Sequence, residues 1–264
     1  MTMGEWPATA LGDDLRGKRV LVTGSGRGIG AAVAAAFAGL GARVALHATS
    51  RHAEAEQLLA ELAAGGADVR LFTGDFRDPR AVEAVVDEAT ADLGGLDVLV
   101  NNAGTMVGRT PLAVMEDSFL DEVVDLNVRS VVVASRRVLP ALKAAGSGCI
   151  VNTVSISART GGSPGSSIYS ASKAFVSTFT RSLASELAPD GIRVNAVSPG
   201  TIGTDFHRRY STPEKLASTA ARIPLARIGT AEDCVGAYLF LASNKFSGYI
   251  TGQVVEVNGG QLMA

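Results

Sequence analysis

The amino-acid sequence predicts an α/β protein built on a doubly wound parallel sheet of about seven strands, with helices on both faces. Three observations carry that expectation. Short apolar runs alternate with segments of helical period, repeating about every 25 residues, as parallel strands joined by right-handed crossovers do. The stretch Arg19 to Gly30, RVLVTGSGRGIG, reads as strand, tight turn and helix, with Gly24, Gly26, Gly28 and Gly30 packed into it. Finally, the 264 residues include 30 glycines but no Pro- or Ser-rich linker, which suits one domain with many strand-to-helix turns.

The elements follow in order. Residues 1–14 read as a flexible leader, and 15–264 as a single domain. Val20 to Val22 forms the first strand, and the alanine-rich run after Gly30 forms a helix closed by Gly41. Val44 to Ala48 is the second strand. Glu54 to Ala64 is a helix with Leu58, Leu59 and Leu62 on its apolar face, and Asp68 to Leu71 is the third strand. Pro79 stands at a first helical position before the periodic segment Ala81 to Ala91. Asp97 to Val100 is the fourth strand. Asp117 to Ala145 reads as mostly helical, because its charged residues interrupt the valines too regularly for one buried strand. Cys149 to Thr153 is the fifth strand, Ala171 to Ala188 a helix, Arg193 to Val197 the sixth strand, Ala231 to Ala242 a helix and Gln253 to Val257 the last strand. A loop region spans about 201–224.

Composition narrows the function. A 47% hydrophobic, 19% charged chain of net charge -2 lacks the concentrated positive surface that nucleic-acid binding needs. No apolar run approaches a membrane span, and the N-terminus lacks the basic start and apolar core of a signal peptide, so a cytoplasmic protein is expected. Cys149 and Cys234 lie in apolar contexts and read as reduced and buried, and no metal site is expected.

Two patterns bear chemistry. The glycine turn lets backbone approach a pyrophosphate at the positive end of a helix, although such turns also occur where sheet and helix merely pack closely. Tyr169 and Lys173, four residues apart near a helix start, share one face. A phenol is a poor acid or base near neutrality, but a neighbouring ammonium favours the phenolate, so such a pair can exchange a proton with a carbonyl oxygen. Tyr and Lys at this spacing are also common on helix surfaces.

Taken jointly and in order, the motifs resemble those of the short-chain dehydrogenase/reductase family from about Leu15 to Met263. Thr23, Gly24, Gly28, Ile29 and Gly30 match its glycine loop, Asn101 to Gly104 its NNAG motif, and Tyr169 to Lys173 its YxxxK core. The resemblance implies a Rossmann fold and carbonyl–alcohol interconversion by hydride transfer. It implies Tyr169 as general acid/base, Lys173 lowering the Tyr169 pKa and holding the nicotinamide ribose, Ser155 polarising the carbonyl, and Asn127 supporting a water-linked proton path. Ser157 competes with Ser155, because the segment from Ser155 to Tyr169 is one residue longer than the family's usual spacing.

For the cofactor, the resemblance implies contacts from Gly24, Ser25, Gly28, Ile29, Gly30, Asn102, Ala103, Gly104, Tyr169 and Lys173. Asp75 and Phe76 match the adenine-contact pair, and Pro199, Gly200 and Ile202 the nicotinamide-side loop, with Thr204 an amide contact. Ala48 stands where an NAD site usually has an acid. No Asp or Glu occurs between Gly30 and Glu54, whereas Arg27, Thr49, Ser50 and Arg51 can hold an added ribose phosphate. NADP(H) is the expected cofactor, with NAD(H) as the alternative.

The expected substrate is a small ketone, keto acid or sugar derivative. The segments ATS, YITG and VNGG resemble 3-oxoacyl-carrier-protein reductases, but Gly146 and Asp190 stand where those enzymes often carry basic carrier-docking residues. In the lid expected from Phe206 to Ile223, the run His207, Arg208 and Arg209 offers one residue to meet a carboxylate or hydroxyls, with a solvated face or a subunit contact as the alternative. A homotetramer is implied, with Asp117 to Ala145, Ala171 to Ala188 and Gln253 to Val257 at interfaces. A non-redox enzyme on this fold and a nucleotide-binding regulatory protein are the remaining alternatives.

Overall fold

The computed structural model describes residues 11–263. Strands β1 (Arg19–Val22), β2 (Arg43–Ala48), β3 (Val69–Thr73), β4 (Val98–Asn101), β5 (Cys149–Thr153), β6 (Arg193–Pro199) and β7 (Val254–Val257) form one parallel sheet in the order β3-β2-β1-β4-β5-β6-β7. This is the Rossmann-like α/β fold that the alternating pattern predicts. The central strand β1 reads as a continuous apolar run because helices cover both faces: Val20, Leu21 and Val22 are all fully buried. Strand order reverses at β1, whose partners are β2 and β4, and Val22 lies level with both Leu46 and Val100. A crevice therefore opens beyond the carboxyl ends of β1 and β4, where such sheets bind ligands.

The helices are α1 (Leu11–Leu15), α2 (Gly28–Gly39), α3 (Ala53–Ala64), α4 (Pro79–Leu93), α5 (Asp117–Val124), α6 (Ser130–Ala145), α7 (Ser157–Thr160), α8 (Ser167–Leu187), α9 (Asp205–Tyr210), α10 (Pro213–Ala220), α11 (Ala231–Ala242) and α12 (Asn244–Ser247). Against one face, α2 and α11 bury Val33, Phe37, Cys234 and Tyr238. Against the other, α4, α6 and α8 bury Val82, Val86, Val138, Leu142 and Leu183. The fully buried Tyr238 keeps its hydroxyl satisfied through Thr153 Oγ1 at 2.8 Å. A buried amide chain also crosses the sheet: Asn101 Nδ2 donates to Asn152 Oδ1, and Asn152 Nδ2 to Thr180 Oγ1, both at 2.9 Å. It ties β4 and β5 to α8 just below the crevice.

Several boundaries differ from expectation. Of the expected leader, residues 1–10 lie outside the described residues, while Leu11 to Asp14 already belong to α1. Asp14 is drawn in by hydrogen bonds from Ser243 Oγ and the Lys245 amide. The third strand runs to Thr73. The long helical segment is broken by one π turn, Asp125–Arg129, between α5 and α6. α8 starts at Ser167, so Tyr169 stands in its first turn. The region 201–224 contains α9 and α10.

Candidate active site

A cavity of about 550 Å³ runs from the glycine loop, across the carboxyl ends of the central strands, to α9 and α10. At its floor the glycines are required sterically. Gly24 and Gly28 sit in the left-handed region at φ +63° and +60°. A Cβ on Gly24 would lie 2.8 Å from Ala103 Cα, and one on Gly30 would lie 2.4 Å from both Gly24 O and Asn102 Nδ2. Behind the loop α2 begins with Arg27 in extended conformation and no side-chain cap, leaving its first amides open toward the cavity. Bare backbone and an uncapped helix N-terminus fit a pyrophosphate; the one acid lining the cavity, Asp205, is engaged by Arg208 and lies 3.9 Å from Arg27.

His47, which sequence reasoning passed over, holds the loop in place. Its Nδ1 accepts from the Gly24 amide at 3.0 Å, and its Nε2 meets Gly74 O at 3.0 Å. These partners assign a neutral ring protonated on Nε2. Burial favours the same state, pushing the His47 pKa down to about 4, and the ring stacks on Phe76 at 3.7 Å. One imidazole thus joins the glycine loop to the loop after β3.

Of the expected cofactor residues, Gly24, Arg27, Gly28, Ile29, Gly30, Thr49, Phe76, Asn102, Ala103, Gly104, Tyr169, Lys173, Pro199, Gly200, Ile202 and Thr204 line the cavity. Ser25 instead lies buried behind it, its hydroxyl accepting from the His47 amide at 2.9 Å. Ser50 and Arg51 are outside the lining, and Arg51 is held by Glu56 at 2.7 Å. The Asp75 carboxylate is also outside, taken by Arg77, which donates to Asp75 Oδ1 through its amide and Nε at 3.0 Å. His52, absent from the expected set, does line this end, beside Gly26.

Of the expected catalytic residues, Ser155, Tyr169 and Lys173 converge on the cavity, and Asn127 lies outside its lining. Ser155 follows β5, and its side chain lowers the Tyr169 pKa. Ser157 stands behind it, donating to Ser155 Oγ from its amide at 3.2 Å and from its hydroxyl at 3.0 Å. Ser155 Oγ accepts both bonds, so its own proton is free for Tyr169 or a substrate oxygen. Asn127 lies in the π turn, fully buried outside the cavity lining, and donates from Nδ2 to Thr105 O and Val123 O at 2.9 Å. Among the described residues its Oδ1 has no partner. A Cβ on Gly104 would come within 2.7 Å of that oxygen and 3.1 Å of Lys173 Nζ, so only glycine keeps the space between them open.

The Tyr169–Lys173 electrostatics differ from expectation. Burial dominates and pushes the Tyr169 pKa up to about 12, with the Ser155 side chain opposing it weakly. Lys173 donates to Thr153 O at 2.9 Å, its Nζ 5.9 Å from the Tyr169 ring centre, and burial lowers its pKa to about 8. Near neutrality the phenol therefore keeps its proton and Lys173 is still mostly an ammonium, because removal from water raises the Tyr169 pKa more than the Ser155 side chain lowers it.

In the lid, Phe206 packs on Tyr169 with ring centres 5.5 Å apart. His207 and Arg209 line the cavity, whereas Arg208 faces out and pairs with Asp205. Arg109 and Lys215 also line it, although the sequence singled out neither. Among the described residues there is no cluster of potential metal ligands and no helix long and apolar enough to cross a membrane.

A model of the family described as "Enoyl-(Acyl carrier protein) reductase" matches residues 24–261. The chain is 38% identical over 246 residues to the 3-oxoacyl-[acyl-carrier-protein] reductase FabG of Staphylococcus aureus, covering 93% of this chain and 98% of that protein. It is 42% identical over 251 residues to the Rhizobium meliloti protein named "Probable galactose dehydrogenase GalD", covering 94% and 96%. Among solved structures, an NADH-dependent reductase responsible for alginate metabolism aligns with a TM-score of 0.87 at 39% identity, over 95% of this chain and 99% of that one. Solved structures similar to this chain hold NAD or NADP. Sequence, fold and motif order agree over most of the chain, and this protein therefore belongs to the short-chain dehydrogenase/reductase family of oxidoreductases.

Proposed function

We propose that the protein is an NADP(H)-preferring oxidoreductase interconverting a carbonyl and a secondary alcohol, with Tyr169 as general acid/base. The observation that carries this reading is the convergence of Ser155, Tyr169 and Lys173 on the cavity that begins at the glycine cradle. A nicotinamide dinucleotide bound there supplies or accepts the hydride. In reduction, Tyr169 gives its proton to the carbonyl oxygen, and its raised pKa keeps that proton available at neutral pH. Ser155, fixed from behind by Ser157, donates to the same oxygen and orients it. Lys173 and Asn127 Oδ1 border the opening beside Gly104, through which a proton returns to Tyr169.

The cofactor preference rests on Ala48 at the end of β2 and on Arg27, half-exposed at the cavity edge and 3.9 Å from Asp205. With Arg51 engaged by Glu56, Arg27 together with Thr49 and His52 makes the phosphate-binding corner. Arg27→Ala should raise KM for NADPH about tenfold, a charge-assisted hydrogen bond discounted for solvent, and change KM for NADH less than about threefold. Steady-state assays of a ketone panel with both cofactors test this. Equal shifts for the two would remove Arg27 from phosphate recognition, and no turnover of either would defeat the redox reading.

The expected substrate is a small ketone, keto acid or sugar derivative, used in the cytoplasm. The likeness to FabG favours a second reading, reduction of carrier-linked 3-oxoacyl groups. Against it, Asp190 neutralises Lys143 at 2.8 Å on the surface where an acidic carrier would dock. The reading includes a homotetramer, which would cover the exposed Leu120 and Phe175 on α5 and α8. A monomeric mass by light scattering would contradict that assembly.

A further inference from the structure

The lid end of the cavity carries positive charge without a matching acid. Arg109 reaches it from the loop after β4, donating from Nε to Tyr210 O at 3.0 Å and from Nη1 to Pro164 O at 3.3 Å. Lys215 reaches it from α10, donating to Ser163 Oγ at 3.3 Å. Both cations are bonded only to neutral oxygens, and among the described residues neither has a carboxylate within ion-pair distance. Asp205 is the only acidic residue among those lining the cavity, and Arg208 and Arg27 engage it.

The two cations also act on each other and on their surroundings. Burial lowers the Lys215 pKa, and the charge of Arg109 lowers it further. His207 beside them is pushed down to about 4, by burial first and then by Arg109 and Lys215, so it is neutral and adds no compensating charge. Two like charges facing a shared cavity destabilise the free site, and a bound anion relieves them. Hydroxyls surround the pair: Ser163 on Lys215, and Ser211, whose Oγ lies 3.3 Å from His207 Nδ1. Between the charges and the reacting centre stands an aromatic row, with Phe206 centred 5.5 Å from Tyr169 and 5.1 Å from Tyr210, whose carbonyl Arg109 holds.

We infer that Arg109 and Lys215 form a carboxylate-binding end of the cavity, and that the substrate is a polyhydroxylated keto acid or its hydroxy acid, its carboxylate several atoms from the reacting carbon. The aromatic row sets that separation, and the serine hydroxyls suit a sugar-acid chain. This rests on the carbonyl–alcohol reading above and narrows its substrate class. The alternative role for Arg109 is a clip that only ties the lid to the loop before α8, which would affect charged and uncharged substrates alike.

The test uses substrates matched except for the carboxylate: 5-keto-D-gluconate against L-sorbose, and levulinate against methyl levulinate, each with NADPH. The wild-type protein should favour the acid of at least the first pair by about tenfold or more in kcat/KM, mainly through KM, as one or two charge-assisted hydrogen bonds allow. In Arg109→Gln and in Lys215→Met the acid-to-neutral ratio should fall by about tenfold. A wild-type protein without acid preference, or variants in which both members fall together, would overturn the carboxylate site. If no substrate consumes NADPH, the redox reading fails, and calorimetric titration with D-gluconate against D-glucitol judges the anion site alone. Gluconate binding that is lost in both variants supports the site; no binding, or equal binding of the two, overturns it.

Discussion

Tyr169→Phe is expected to lower kcat for carbonyl reduction by about 10²–10⁴-fold, the range typical of a lost general acid. Dissociation constants for NADP(H) should change by less than about threefold. Phenylalanine keeps the ring that packs on Phe206, so the cavity wall survives. What disappears is one hydroxyl, together with the proton that burial holds on it. Single-turnover kinetics and fluorescence titration of NADPH separate the two effects. A Phe variant retaining more than about a tenth of wild-type kcat would assign the proton to another group.

Gly30→Ala should act on the other half of the site. Its methyl would sit 2.4 Å from Gly24 O, a backbone atom, and from Asn102 Nδ2, which donates to Thr23 O and Gly24 O at 3.0 Å. Neither neighbour can yield without opening the glycine loop. Overpacking of this kind costs about 1–3 kcal/mol, or roughly 3–10 °C in Tm for a chain of this size. Dinucleotide affinity should fall about tenfold or more, because the displaced loop is the phosphate cradle. Gly236→Ala supplies the contrast: Gly236 lies on α11, and a methyl there would meet nothing within 4 Å, so alanine should leave affinity unchanged and raise stability by about 0.5–1 kcal/mol. Unchanged cofactor affinity in Gly30→Ala would show that the loop does not hold the phosphates.

The sheet was legible because the central parallel strands, buried on both faces, leave short apolar runs, whereas β3 carries Arg70 and β7 carries Glu256 and neither is buried throughout. Their ends were less so, since Phe72 and Thr73 extend the third strand through pairing with His47 and Ala48 that no local pattern records. The glycine loop and the Tyr169–Lys173 pair were legible because local geometry dictates their spacing. Residues whose role depends on distant partners were not. Ser25 belongs to the glycine motif yet spends its hydroxyl on His47, and Asp75 is taken by a neighbour two residues away. The π turn at Asn127 left no periodic trace, being one extra residue in a helix. Arg109 and Lys215 lie 106 positions apart, the second in the segment read as the lid, and only the fold brings them to one cavity. Ser155 and Ser157 both line the cavity, and the hydrogen bond between them likewise has no trace in the sequence.

The central claim is hydride transfer at this cavity, and isotope transfer measures it directly. Incubating the wild-type protein with NADPH deuterated at the transferring position and a reducible ketone should give an alcohol with one deuterium on the carbinol carbon for each NADPH consumed. An alcohol without that label, product formed with no net NADPH oxidation, or no consumption with any carbonyl substrate would contradict the account.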